Sequence, residues 1–146
     1  MTDFFDKMLI LYKRHEKIRM KWEEFIGIIH RLYEDSQYPT PTKLRDNSRL
    51  EFIMSPERVF CQFRFNGKKG IIQFGYVELN EFGQNIDIFS KESLVFDSLG
   101  NISLNESGLM SWNMCDISDI KEYFFFPYLL KTFNSITINN ERGTHG

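Results

Sequence analysis

The sequence predicts an α+β fold, in which a long N-terminal helix and a C-terminal helical segment pack on an antiparallel sheet of about five or six strands. Three observations lead there. Apolar residues keep a helical period from Phe4 to Leu32, period-two alternation replaces it after residue 49, and hairpin-length turns separate the alternating runs. At 146 residues a single domain is the expectation, divided as helix 1–37, connector 38–48, sheet 49–105 and C-terminal helices 116–138.

The helix is the clearest element. Phe4, Met8, Leu11, His15, Ile18, Trp22, Phe25, Ile29 and Leu32 recur at alternating spacings of four and three, one continuous stripe. Asp3 and Asp6 complement the dipole at its start, and Pro39 and Pro41 mark its end. A helix over 3–35 would be roughly 50 Å long, against roughly 35 Å for the width of a domain of this size. Either it overhangs, or it breaks near Gly27, or a second subunit covers the extra stripe. A homodimer through the N-terminal helix is thus one expected partnership.

Residues 38–48 read as a polar connector carrying both prolines. Arg49–Met54 is the first strand, followed by a turn at Ser55-Pro56-Glu57-Arg58. Val59, Cys61, Phe63 and Phe65 alternate with polar residues, the mark of a half-buried strand. Asn66-Gly67 opens a hairpin loop because both residues tolerate positive φ. Ile71–Leu79 returns, Asn80–Asn85 turns again, and Ile86–Phe89, Leu94–Asp97 and Ile102–Leu104 read as three short strands. The second of these is separated from the first by Ser90-Lys91-Glu92. Asp116 is a helix N-cap with an acid at its third position, Asp119. Pro127 predicts a kink or two short helices, and residues 139–146 a frayed end.

Charge divides the chain. Residues 1–69 carry fourteen Lys/Arg and ten Asp/Glu, whereas residues 70–146 carry four and ten. The net charges of +4 and −6 sum to −2. Such asymmetry speaks to partners more than to fold.

Catalytic signatures are missing. His15 and His30 lie about 22 Å apart along one helix and cannot share an ion, so no metal is expected. His15 reads as a hydrogen-bonded core or interface histidine, with a protonation-sensitive partner contact as the sharper alternative. No nucleophile elbow and no phosphate loop ahead of a helix is present. Cys61 and Cys115 read as buried free thiols. The chain is therefore expected to be no enzyme and to hold no cofactor.

The basic helix face, Lys13, Arg14, Lys17, Arg19 and Lys21, could follow phosphates. Glu16, Glu23 and Glu24 stand at i,i+3 and i,i+4 offsets to neutralise it, and the pI is near 5.9. Nucleic acid is disfavoured accordingly. Apolar runs far shorter than about 20 residues argue against a membrane span. An acidic start unlike a signal peptide places the chain in the cytoplasm.

The remaining feature is the acidic half. Glu78, Glu81, Asp87, Asp97, Asp116 and Asp119 fall in or beside loops, where they are expected to form a docking patch for a basic protein partner. Tyr76, Phe82, Phe89 and Trp112 are candidate aromatic anchors within it. The function expected is that of a non-enzymatic protein-binding inhibitor, an immunity or antitoxin-type protein that neutralises a basic toxin domain such as a nuclease. Two alternatives are a secretion-chaperone-like dimer that binds an effector protein and a nucleic-acid-binding regulator that uses the basic helix. The abundance of Phe, Ile, Asn and Lys fits an A/T-rich bacterial gene.

Overall fold

In the computed structural model, residues 2–54, 57–103, 111–130 and 132 are described. Of the turn expected at Ser55-Pro56-Glu57-Arg58, the first two residues lie outside those described, as do the strand end at Leu104, the helix beyond 132 and the frayed end 139–146, whereas Glu57 and Arg58 are strand residues paired with Met54 and Ile53.

Helix α1 runs unbroken from Thr2 to Glu34. It continues through Gly27. One helical glycine costs about 1 kcal/mol, and the burial of Phe25, Ile26, Ile28 and Ile29 around it outweighs that. Of the ways to accommodate the excess length, the helix does overhang: its buried residues begin at Ile18, and residues 3–14 are all exposed.

Seven strands follow: β1 (Thr42–Leu44), β2 (Arg49–Met54), β3 (Glu57–Phe65), β4 (Gly70–Leu79), β5 (Asn85–Phe96), β6 (Asn101–Ser103) and β7 (Ser111–Asn113). They form one antiparallel meander in sequence order. The α+β class therefore stands, with more strands than expected. β1 lies inside the segment read as a connector. Its three residues are all exposed, so it has no alternation to detect, and pairing with β2 alone makes it a strand.

β5 corrects the reading of two short strands. It is continuous, and Ser90-Lys91-Glu92 forms a bulge opposite Phe74, since Gln73 pairs with Ser93 while Gly75 pairs with Phe89. The bulge resets the register, so Leu94 and Phe96 point into the core beyond a polar interruption.

The core lies between α1 and one face of the sheet. Ile18, Trp22, Phe25 and Ile29 meet Leu50, Phe52, Val59, Cys61, Ile72, Phe74, Leu94 and Phe96. After β7, Asp116 caps α2 (Ile117–Asp119) by accepting the Asp119 N–H at 3.1 Å. A π-helical run then spans Ile120–Leu130, where a kink or two helices were expected. Pro127 has no N–H for an i→i−4 ladder, and the wider π turn carries the chain past it in one segment. Phe124 of this run is fully buried, edge-on to Phe25 at 5.0 Å and 5.8 Å from Phe74. Both helical ends of the chain thus cover the same sheet face.

Candidate functional site

Among the described residues, four of the six predicted docking carboxylates have internal partners. Asp87 is gripped in two-pronged fashion by Arg49, with Nη1–Oδ1 at 3.0 Å and Nη2–Oδ2 at 2.6 Å, and Arg45 adds a third bond at 3.2 Å. The Arg49 hydrogen bonds, more than its charge or that of Arg45, hold the Asp87 carboxyl below the usual carboxylate range. Asp97 closes the β5–β6 turn by accepting the N–H groups of Leu99 and Asn101, each at 3.0 Å. Asp116 is the α2 cap, and Asp119 accepts the Asn113 N–H at 2.9 Å. These four carboxylates serve turns, a cap and an internal ion pair. The partners of Asp87 lie 38 and 42 residues away in sequence, which no local pattern could signal, whereas those of Asp97, Asp116 and Asp119 lie within six residues.

Glu78 and Glu81 are exposed, and neither forms an ion pair among the described residues. Glu78 lies near the end of β4 and Glu81 in the turn of the β4–β5 hairpin that follows. Asn80 organises that turn. Its side-chain oxygen accepts the N–H groups of Phe82 and Gln84, each at 2.9 Å, and its backbone bonds Gln84 and Gly83. Gly83 takes φ +73°, the left-handed conformation such a turn requires. The result is a fixed loop with Phe82 at its apex, 81% exposed, and with Leu79 (67%) and Ile86 exposed beside it. Of the other expected anchors, Phe89 is partly exposed and Tyr76 half-buried. Trp112 is corrected: it is buried, because β7 pairs with β6 and brings the indole to within 6.1 Å of the Tyr123 ring.

A second region lies at the opposite end of β4. Phe4, Phe5, Met8, Leu9, Ile10, Leu11 and Tyr12 of α1 are each 40–67% exposed. The helix leaves the body of the molecule near Arg14, which reaches the Gly67 carbonyl at 3.4 Å. Phe4, Met8 and Leu11 belong to the helical stripe seen in the sequence. Phe5, Leu9 and Tyr12 form a second flank that the single stripe missed, though the uninterrupted apolar run Met8–Tyr12 was its signal.

Between α1 and the β1–β2 loop lies a cleft of about 510 Å³, lined by His15, Arg19, Trp22, Arg45, Phe63 and Arg64 among others. Arg45, Asp46 and Asn47 hold φ values of 52°, 53° and 65°, three successive non-glycine residues in the left-handed region. Trp22 restrains them by donating its indole N–H to the Asn47 carbonyl at 2.6 Å. His15 sits in the cleft half-buried, with ring contacts to Phe65 (5.0 Å) and Phe63 (6.3 Å) where a hydrogen bond was expected. On the helix face alongside, Arg19 pairs with Glu23 and Lys21 with Glu24, both at 3.2 Å.

Cys61 is buried and free, with its thiol pushed far up by burial. Cys115 is half-buried and free. Burial first, then the neighbouring Glu24 carboxylate, raises it to about 12. Among the described residues no group of three or more His, Cys, Asp or Glu is gathered as a metal site, and no helix is long and apolar enough to cross a membrane.

The class these features define is an α+β chain with one long helix on a seven-stranded antiparallel meander. No protein-family model, no curated protein and no solved structure matches it.

Proposed function

We propose that this chain is a non-enzymatic binding protein that docks a basic protein partner at the β4–β5 hairpin tip, as an immunity or antitoxin-type inhibitor of a toxin domain would. The observation that carries the reading is Phe82, presented at the apex of a loop already fixed by Asn80, with the exposed Glu81 immediately before it and the exposed Glu78 near the end of β4. A pre-organised loop loses little freedom on binding. A central aromatic inside a charged rim is the arrangement in which anchoring energy and partner selection coexist. Asp87, Asp97, Asp116 and Asp119 are not part of this surface, since each has an internal partner.

The test is a binding measurement against the purified product of the adjacent gene. Phe82→Ala is expected to weaken the complex by about 10- to 100-fold. Glu78→Lys with Glu81→Lys is expected to slow association by about tenfold or more at low salt. A partner that binds both variants as it binds the native chain overturns the hairpin reading.

A second reading, the escort dimer, is favoured by one specific observation: the apolar start of α1 stands free of its own domain.

A further inference from the structure

The cleft between α1 and the β1–β2 loop gathers polar groups that the fold itself does not use. We infer that it is a binding site for a nucleoside phosphate, its aromatic floor taking the base and Arg64 taking the phosphate.

A strand edge opens into the cleft. β2 and β3 stay paired as far as Arg49 and Gln62, and the Phe63 N–H still reaches the Ser48 carbonyl at 2.8 Å. On that side the sheet then ends in the β1–β2 turn, while β3 runs on to Phe65 beside β4 alone. Backbone groups alternate sides along an antiparallel strand, so Phe65 presents its N–H and C=O to the same side as Phe63 does. No strand takes them up there. A donor and an acceptor on one residue match the edge of a base, which offers the same two kinds of group side by side.

The floor is aromatic. The His15 and Phe63 rings are 6° from parallel with centres 6.3 Å apart, and Phe65 lies 5.0 Å from His15. All three are half-buried, so they line the cleft and keep ring surface open to it. Bases of any kind stack on such rings. The volume of about 510 Å³ falls within the roughly 300–1,000 Å³ of small-molecule sites.

The charges choose the ligand. Arg19 is paired with Glu23 and Arg45 with Asp87, both at 3.2 Å. Arg64 and Asp46, the other ionised groups on the lining, are exposed, and neither forms an ion pair among the described residues. The planar fork of a guanidinium fits a phosphate through two bonds at once, and Arg64 is the one left open to it. A carboxylate only accepts, so Asp46 suits the sugar hydroxyls. One open arginine beside one open aspartate thus fits a ligand that is anionic at one end and carries donors elsewhere. A nucleic-acid strand, charged at every nucleotide, meets Asp46 and Glu23 as repulsions. Lys68 and Lys69 stand on the neighbouring β3–β4 loop, outside the lining.

The far wall is held ready. Arg45, Asp46 and Asn47 keep their left-handed φ values because Trp22 bonds the Asn47 carbonyl and Gln62 and Asp87 hold Arg45. Backbone kept in sparsely populated regions by its surroundings gathers at ligand sites. The cleft lies at the Gly70 end of β4 and the hairpin tip at its Leu79 end, about 30 Å along the strand, so the inference does not rest on the hairpin reading.

The experiment is calorimetric titration of the full chain with AMP, GMP, CMP and UMP, each to about 5 mM, beside adenosine, inorganic phosphate and a short oligouridylate. At least one mononucleotide is expected to bind with a Kd of about 100 µM or tighter, and adenosine and inorganic phosphate at least about tenfold more weakly. Arg64→Gln is expected to weaken binding about 10- to 100-fold. His15→Ala is expected to weaken it about tenfold. Both variants are expected to keep the native urea midpoint, since Arg64 is exposed and His15 half-buried. Lys68→Gln, outside the cleft, is expected to stay within about twofold of the native chain. The Phe65 amide resonance is expected to move on binding. Absence of binding by all four mononucleotides overturns the inference. So does binding that survives both Arg64→Gln and His15→Ala. Inorganic phosphate that binds as tightly as the mononucleotides overturns the assignment of the base. An oligouridylate that binds at least about 100-fold more tightly than UMP assigns the cleft to a nucleic-acid strand instead. The titration contains no protein partner, so its result and that of the hairpin test fail separately.

Discussion

Arg49 and Asp87 face each other across the two strands that separate them, joined by two hydrogen bonds of 3.0 and 2.6 Å. The guanidinium is nearly fully buried, at 3% exposure. It lies over the Phe60 ring at 3.8 Å and also donates to Gln62 at 2.7 and 2.9 Å. Gly75 makes the arrangement sterically feasible: a Cβ there would come within 2.6 Å of the Phe60 ring. The pair occupies the sheet face turned away from α1, where Glu51 is also buried and reaches Arg58 at 3.5 Å.

Breaking this pair from either side leaves a poorly solvated charge. Arg49→Leu is expected to cost about 2–4 kcal/mol and Asp87→Asn somewhat less, because the Asp87 side chain keeps partial exposure. A double-mutant cycle in urea denaturation checks it, and a coupling energy near zero would show that the two groups act independently. The pH sign follows from the direction of the Asp87 shift. Its folded carboxyl titrates below the unfolded one, so the stabilisation is complete above the ordinary aspartate range, near pH 4, and is lost as pH falls through the folded value. His30 acts in the same direction at higher pH. Burial lowers it and leaves its Nε2 without a hydrogen-bond partner, so stability declines as pH falls below the ordinary histidine value, near 6.5. Asp87→Asn is expected to remove the lower step of the acid-unfolding curve and leave the upper one.

Trp22 ties the left-handed loop to the helix. Trp22→Phe keeps the ring against Phe63, now 5.8 Å away, but deletes the bond to the Asn47 carbonyl. The expected cost is about 1–2 kcal/mol. Faster hydrogen exchange is expected at residues 45–48 and nowhere else in the sheet. Unchanged exchange there would mean that Arg45 and Ser48 hold the loop by themselves.

The two thiols are expected to resist alkylation. With Cys61 sealed in the core and Cys115 raised to about 12, iodoacetamide at pH 8 finds almost no thiolate. Modification of the folded chain is expected to run at least about 100-fold slower than for free cysteine, and both residues react once urea unfolds it. Rapid labelling of Cys115 in the folded state would place it outside its contact with α1, where its Sγ lies 3.9 Å from the Lys21 carbonyl.

Much of this architecture is written locally in the sequence. The 3.6-residue period from Phe4 to Leu32 marks α1 and its span. Alternation and the Asn-Gly and Asn…Gly turns mark β3, β4 and the hairpins that follow them, and Asp116 announces its cap. These features depend on neighbours within a few residues, so one chain suffices to read them. Tertiary structure decided the rest. It selected overhang over a break at Gly27, made β1 a strand by pairing it, and fused two segments into β5 through the bulge. Above all it decided which of the six carboxylates are held by internal partners. The spacing of Asp87 and Arg49 along the chain says nothing about their contact. Only the sheet brings them together, and by pairing Asp87 with the buried Arg49 it gives that carboxylate an internal partner while Glu78 and Glu81 stay exposed.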